Sequence, residues 1–342
     1  MSLEQEIGLT PEELSYGVPL PKEAPPARLG ETAAHRQAAK QATAPAAGTP
    51  SAGAPSAGAP PAAVAAGLEY RVKACRYGQF LYNARDIYIG RSLDLYGEYG
   101  EVEVQFLTKL AKPGDMVVEA GANIGADTVP LARHLGPQGW LLAVEPQRLV
   151  HQTLCANVAM NGLANVVTPW CALGAEPGVA VVPPLDYARA GNYGGIALRR
   201  DGAGERVPVA TIDSFELPRC ALIKADVEGM ELEVLKGAAA TIARHQPRLY
   251  LENNGGAGSP ALISHLLGLG YRLFWHTPPL FNPRNFAGNA NNVFGNTVSC
   301  NMLGLPKGDG AEIRNMRAVS GPDDVALQAQ RQRRETPAGD PA

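Results

Sequence analysis

Glu119, Gly121, Asn123 and Gly125 fall within seven consecutive positions, and Glu145 follows 20 residues after Gly125. Two glycines this close permit a tight turn in which backbone N–H groups approach a ligand. A pyrophosphate-binding turn reads G-x-G-x-x-G. Here Asn123 replaces the middle glycine, and Glu119 places a carboxylate at the end of the preceding apolar run. A carboxylate repels a pyrophosphate and attracts a sulfonium or an ammonium. Glu145 is spaced to accept the two hydroxyls of a ribose. The pattern therefore favours a cationic nucleoside, S-adenosylmethionine, over NAD.

A second group lies downstream. Asp226 ends one apolar run, and Glu252, Asn253 and Asn254 end the next. Reaction groups in open α/β sheets gather where strands end. Asp226 and Glu252 are expected to hold the cofactor's amino group and orient a hydroxyl, one of them acting as general base. The same oxygen-rich set, Asp226, Glu252 and Asn253, suits a magnesium ion. A simpler role for Asp226 is a helix N-cap, which is compatible with catalysis. Lys224 shares a strand face with Asp226 and is expected to pair with an acid. Glu228 is read as opening the following helix, and Glu231, Glu233 and Lys236 as its solvated face. His276 is a further candidate base, weighed against a structural role. It begins a loop, Thr277–Phe286, whose asparagines, arginine and aromatic rings would suit a hydroxyl-rich ligand. The insertion around Asn192-Tyr193-Gly194-Gly195 is read as a lid, against the simple alternative of a mobile surface loop.

Alternating elements must position these residues. Met116–Val118 reads as a buried strand and Thr128–Leu135 as a helix. Strand Trp140–Val144 precedes helix Leu149–Asn161, strand Ala221–Ala225 precedes helix Met230–Arg244, and strand Arg248–Leu251 precedes helix Pro260–Leu269. Further strands are expected at Val166–Trp170, Val207–Ile212, Tyr271–Trp275 and Thr297–Leu303, with a loop-rich insertion over Ala175–Gly204. Such alternation predicts an α/β fold with a mostly parallel central sheet and helices on both faces. A small β/α cap precedes it, with strands at Tyr70–Cys75, Gly78–Tyr82 and Asp86–Ile89 and a helix over Ser92–Leu110.

The chain has 342 residues and a formal net charge of -3. That charge gives no global basic field for nucleic acid. Its apolar runs are far shorter than the roughly 20 residues of a membrane helix. The acidic start lacks a signal-peptide layout, so a cytoplasmic protein is expected. Five scattered cysteines without a C-x-x-C pair argue against a disulfide framework or a zinc site. Residues 1–66 read as an Ala/Pro/Gly-rich tail with too few large apolar residues to fold. Residues 67–305 read as the folded domain. Residues 306–342 read as a polar C-terminal tail, with a short helix near Val325–Arg331.

From about Gly78 to Leu305 the chain resembles the FkbM-type methyltransferases. Asp86–Leu93 and Tyr96-Gly97-Glu98-Tyr99 resemble that family's lead-in, Val118–Gly125 its cofactor turn, and Val144-Glu145-Pro146-Gln147 its ribose segment. The most specific string is Ile223-Lys224-Ala225-Asp226-Val227-Glu228-Gly229-Met230-Glu231 and its continuation to Ala238. Two departures stand out: Glu119 where Asp is commoner, and Ala225 where Ile or Leu is usual. The resemblance implies a Rossmann-like class I methyltransferase fold. It also implies S-adenosylmethionine-dependent O-methylation of a hydroxyl on a small-molecule or glycan acceptor, a sugar or natural product. The competing classes are an NAD-dependent oxidoreductase and a non-catalytic binding module that recruits partners through its tails.

Overall fold

The computed structural model describes residues 67–326. The expected N-terminal tail, and almost all of the expected C-terminal helix, lie outside those residues.

The cap consists of an antiparallel hairpin, β1 (Tyr70–Cys75) and β2 (Gly78–Asn83), followed by helices α1 (Ile89–Tyr96) and α2 (Glu101–Leu110). Two expectations are corrected here. Asp86–Ile89 is not a strand, because the Asp86 carboxylate accepts from the Tyr88 N–H at 2.9 Å and turns the chain into α1. The single helix expected over Ser92–Leu110 is broken, because Gly97 and Gly100 take φ of 68° and 56°, left-handed values that end one helix and redirect the next.

The body alternates as the hydrophobic pattern requires. Its elements are β3 (Met116–Ala120), α3 (Thr128–Leu135), β4 (Trp140–Val144), α4 (Arg148–Met160), β5 (Val166–Val167), β6 (Ala172–Leu173), β7 (Gly178–Val182) and β8 (Glu205–Ala210). They continue as β9 (Leu222–Ala225), α5 (Glu231–Lys236), α6 (Ala239–His245), β10 (Arg248–Glu252), α7 (Ser259–Gly268), β11 (Arg272–His276), β12 (Asn301–Leu305) and β13 (Arg317–Ala318). The main sheet runs β13-β11-β12-β10-β9-β3-β4-β5. Pairs from β10 through β5 are parallel, and β12 is antiparallel between β10 and β11. A separate sheet, β6-β8-β7, carries the insertion.

Strand residues alternate between two cores. Met116, Val118, Ala120, Leu142 and Val144 join the side chains of α5, α6 and α7. Val117, Leu141 and Ala143 join those of α2, α3 and α4. Period-two burial on both faces makes the β3 sequence apolar throughout apart from Glu119. The helix expected over Met230–Arg244 is split at Gly237, where an added Cβ would lie 2.0 Å from the Gly174 carbonyl oxygen. The polar segment after Pro306 does not leave the domain at once. Asp309 pairs with Arg248 at 2.7 Å, β13 adds to β11, and Ala326 is buried.

Strand order reverses between β3 and β9: from β3 the chain winds outward through β4 and β5, and from β9 the opposite way through β10. A crevice forms at the carboxyl ends of strands at such a switch point.

Candidate active site

Gly121 ends β3 at this crevice. Its φ is 79°, and a Cβ there would sit 1.9 Å from the Asp226 carbonyl oxygen, so only glycine fits. Gly121 N–H and Ala122 N–H both donate to the Val144 carbonyl at 3.0 Å, tying the turn to β4. Asn123 is left-handed, with φ 49°, a conformation Asn tolerates better than other side chains do. Its N–H donates to Glu145 Oε2 at 3.0 Å, and the Gln147 N–H donates to Glu145 Oε1 at 2.8 Å. Gly125, with φ 89°, closes the turn into α3. Burial pushes the Glu145 carboxyl up to about 7, and these two N–H groups pull it back. Glu145 still borders open space: it lines both a cavity of about 210 Å³ and an adjoining recess of about 40 Å³. The recess is walled by the apolar side chains of Val144, Pro146, Leu173, Ile196, Leu198 and Met230, together with Gln147, Asp226 and Glu228.

Glu119 is not on the cavity wall. It is fully buried, accepts from Thr128 Oγ1 at 2.7 Å, and lies 3.6 Å from Lys224 Nζ. A direct contact between its carboxylate and a ligand's cation, as the sequence suggested, is therefore replaced by a supporting role under the floor. Lys224 is its register neighbour across β3 and β9. The ammonium lies closer to Asp127, at 2.9 Å. Burial opposes the lysine's charge, but Asp127, Glu119, Asp226 and Glu103 more than offset it and hold the group well above the usual lysine value. Glu119 takes the smaller share of that ammonium, and burial keeps its carboxyl above the ordinary range.

Asp226 and Glu252 meet as the strand order predicted. Glu228 joins them: oxygen atoms of the three carboxylates lie within 4.8 Å of one another. Glu228 does not open the helix. It has φ 54° and turns into the cavity, while α5 begins later, at Glu231. Burial raises the Glu228 carboxyl to about 7, helped by Asp226 and Glu231. Burial, then Asp226 and Glu228, hold Glu252 well above the usual range. Glu231 is also not solvated: it is buried and accepts from the N–H groups of Val227 and Gly229 at 3.1 and 3.2 Å. Only Glu233 and Lys236 pair on the exposed face, at 2.7 Å.

Two further candidates lie off the wall. Asn253 faces away from it, with its N–H donating to the Cys300 carbonyl and its Oδ1 accepting from Gly255 N–H, whereas Glu252 and Asn254 line the cavity. Alternation along a strand end explains the difference. His276 is buried behind the floor, with Nδ1 2.7 Å from Tyr250 Oη and its ring 4.3 Å from that of Phe106. Burial lowers it to about 4, so it is neutral near pH 7. It does not border the space an acceptor would enter.

The asparagine-rich loop is corrected as well. Asn282, Asn285, Asn289 and Asn292 accept from backbone N–H groups of Arg284, Asn289, Asn291 and Phe294, respectively. They fold the loop rather than face a ligand. Glu98 anchors it, accepting from Arg76 Nε at 2.7 Å, Asn282 Nδ2 at 2.8 Å and the Phe286 N–H at 2.7 Å. Only the ends of the connection between β11 and β12, Leu280 and Thr297–Cys300, reach the cavity. Asn192, Gly194 and Gly195 of the insertion also line it. They are held there by Gln147, whose Nε2 donates to the Tyr193 carbonyl at 2.8 Å and whose Oε1 accepts from Tyr187 Oη at 2.9 Å.

The mostly parallel sheet, with antiparallel β12 inserted near one end and antiparallel β13 at its edge, and a glycine turn at the switch point, define a Rossmann-like class I methyltransferase fold. Residues 119–273 match the methyltransferase FkbM domain. It is similar to methyltransferase 1 of Beauveria bassiana, 29% identical over 143 residues, covering 35% of this chain and 57% of that protein. It is also similar to methyltransferase sdnD of Sordaria araneosa, 32% identical over 157 residues, covering 35% of this chain and 59% of that protein. The chain thus spans under two thirds of the curated relatives it matches. Among solved structures it is similar to an FkbM methyltransferase from Methylobacillus flagellatus, with TM-score 0.39, 19% identity, and coverage of 56% of this chain and 44% of that one.

Proposed function

We propose that the protein is an S-adenosylmethionine-dependent methyltransferase acting on a hydroxyl of a sugar or natural-product acceptor. One observation carries the cofactor reading. Among the described residues lining the cavity, Asp127, Glu145, Asp226, Glu228 and Glu252 are acidic and Lys224 is the only lysine or arginine. A sulfonium nucleoside with an amino-acid end carries net positive charge and fits that wall. The two charges of a pyrophosphate do not, which disfavours an NAD-dependent oxidoreductase. The Gly121 cradle and the Glu145 carboxylate suit the nucleoside, and the apolar side chains of the recess beside Glu145 suit its base.

When bound, the cofactor supplies an electrophilic methyl group for in-line transfer. The chain's own residues would align the acceptor and exclude water. Asp226 and Glu252 stand where a hydroxyl can be oriented, and one ionised carboxylate of the Asp226–Glu228–Glu252 group takes its proton. The absence of further cations on the wall favours an uncharged acceptor over a phosphate-bearing one such as nucleic acid. Calorimetry with S-adenosylhomocysteine and with NAD tests the reading: binding of the first alone supports it, and binding of NAD alone overturns it.

A magnesium ion is a second reading, favoured by the convergence of the same three carboxylates. Asn253, expected as a ligand, gives way to Glu228. Turnover that persists undiminished in EDTA would exclude it. Among the described residues no helix is long and apolar enough to cross a membrane.

A further inference from the structure

The geometry points to the Asp127–Lys224 pair as a clasp for the zwitterionic amino-acid end of the cofactor. Lys224 would receive the carboxylate and Asp127 the ammonium. The inference rests on the S-adenosylmethionine reading and assigns a subsite within it.

Five observations carry it. Both side chains line the cavity, and neither borders the smaller recess next to Glu145. They are 2.9 Å apart and mostly buried, at 4% and 13% exposure, so their charges act with little screening by water. Asp127 sits at the N-cap position of α3 but makes no capping hydrogen bond with its side chain. Its carboxylate is turned to the lysine instead of serving the helix. Lys224 has a second carboxylate, Glu119, beneath it at 3.6 Å. That partner keeps the ammonium charged and fixed when a ligand's carboxylate competes with Asp127. An anionic group entering this cavity meets no other lysine or arginine among the described lining residues. The carboxylate is the only anionic group of S-adenosylmethionine.

Calorimetry on the full chain with two probes tests the clasp. S-adenosylhomocysteine has the amino-acid end; 5′-methylthioadenosine has the same nucleoside and lacks that end. Lys224→Met is expected to weaken S-adenosylhomocysteine by about 10- to 100-fold, the effect of losing a charge-assisted contact, and to leave methylthioadenosine binding unchanged. Equal loss of both probes would show a merely structural ion pair and overturn the clasp, as would unchanged binding of both. If Lys224→Met does not fold, Asp127→Asn decides, since that side chain lies at the cavity edge: selective loss of S-adenosylhomocysteine supports the clasp and no selectivity overturns it. A wild-type protein that binds neither probe would instead overturn the cofactor reading itself.

Discussion

Gly121 and Asp226 meet backbone to backbone: a Cβ on the first would stand 1.9 Å from the carbonyl oxygen of the second. The Asp226 N–H in turn donates to the Ala120 carbonyl at 3.0 Å. The glycine turn and Asp226, the proposed reaction carboxylate, are therefore one rigid unit. Gly121→Ala adds both a left-handed strain and a backbone clash, and should cost about 2 kcal/mol or more. Urea unfolding measures the loss, and S-adenosylhomocysteine binding should fall with it. Unchanged stability would mean that the two strand ends are not in contact.

Glu145 gives a pH dependence of defined sign. Its folded value, about 7, lies above that of an exposed glutamate. The folded ligand-free protein keeps this proton when the unfolded chain has lost it, so stability from this group is full below the unfolded value and is lost as pH rises through about 7. Glu145→Gln should flatten that part of the melting-temperature profile. Affinity for S-adenosylhomocysteine should run the other way in the wild type, rising through pH 7 as the carboxylate ionises to accept ribose hydroxyls. A pH-independent affinity would remove the ribose assignment.

Asp226→Asn should reduce methyl transfer by at least about 100-fold, in the range typical of general base loss, while S-adenosylhomocysteine still binds. Labelled cofactor incubated with a cell extract reads the transfer and identifies the acceptor at the same time. Full activity in the variant would exclude Asp226 as base or essential ligand.

His276→Gln should lower stability through the lost Tyr250 contact without abolishing transfer, because His276 does not border the cavity. Loss of turnover with intact cofactor binding and an unchanged melting temperature would restore it as a reaction group.

Breaking the Arg76–Glu98 pair should loosen the loop it anchors. The Glu98 side chain is only 3% exposed, and removing a buried pair's partner costs about 3–5 kcal/mol. For Arg76→Ala, hydrogen exchange should accelerate over residues 278–299. Exchange confined to the cap would show that the loop is held instead by the rings of Phe281 and Phe294, whose centroids lie 5.3 and 5.9 Å from that of Tyr96.

The sequence made the glycine turn, Glu145 and the Asp226–Glu252 meeting legible, because each depends on a strand end and the winding rules of parallel sheets. Glu228 was missed because its orientation depends on a left-handed residue that no periodicity marks. The Asp127–Lys224 pair depends on which strand neighbours β3, a long-range fact. The base reading of His276, though not the structural one weighed against it, and the ligand reading of the loop asparagines were misplaced for a related reason. Burial of His276 follows from β12 entering between β10 and β11, and the asparagines bond to their own loop. Residue type announced polarity in each case, but only the tertiary packing decided where that polarity pointed.

The antiparallel insertion of β12 has a consequence for biosynthesis. The matched family segment ends at residue 273, yet Ser299, Cys300 and Asn301 complete the cavity and β12 fills the gap between β10 and β11. A nascent chain halted after β11 would present β10 as an unpaired edge beside a half-built pocket. On the proposed cofactor reading, ligand capture during translation must await the emergence of β12, so the nascent chain passes through an interval with an exposed strand edge and no complete pocket through which a ligand could stabilise it.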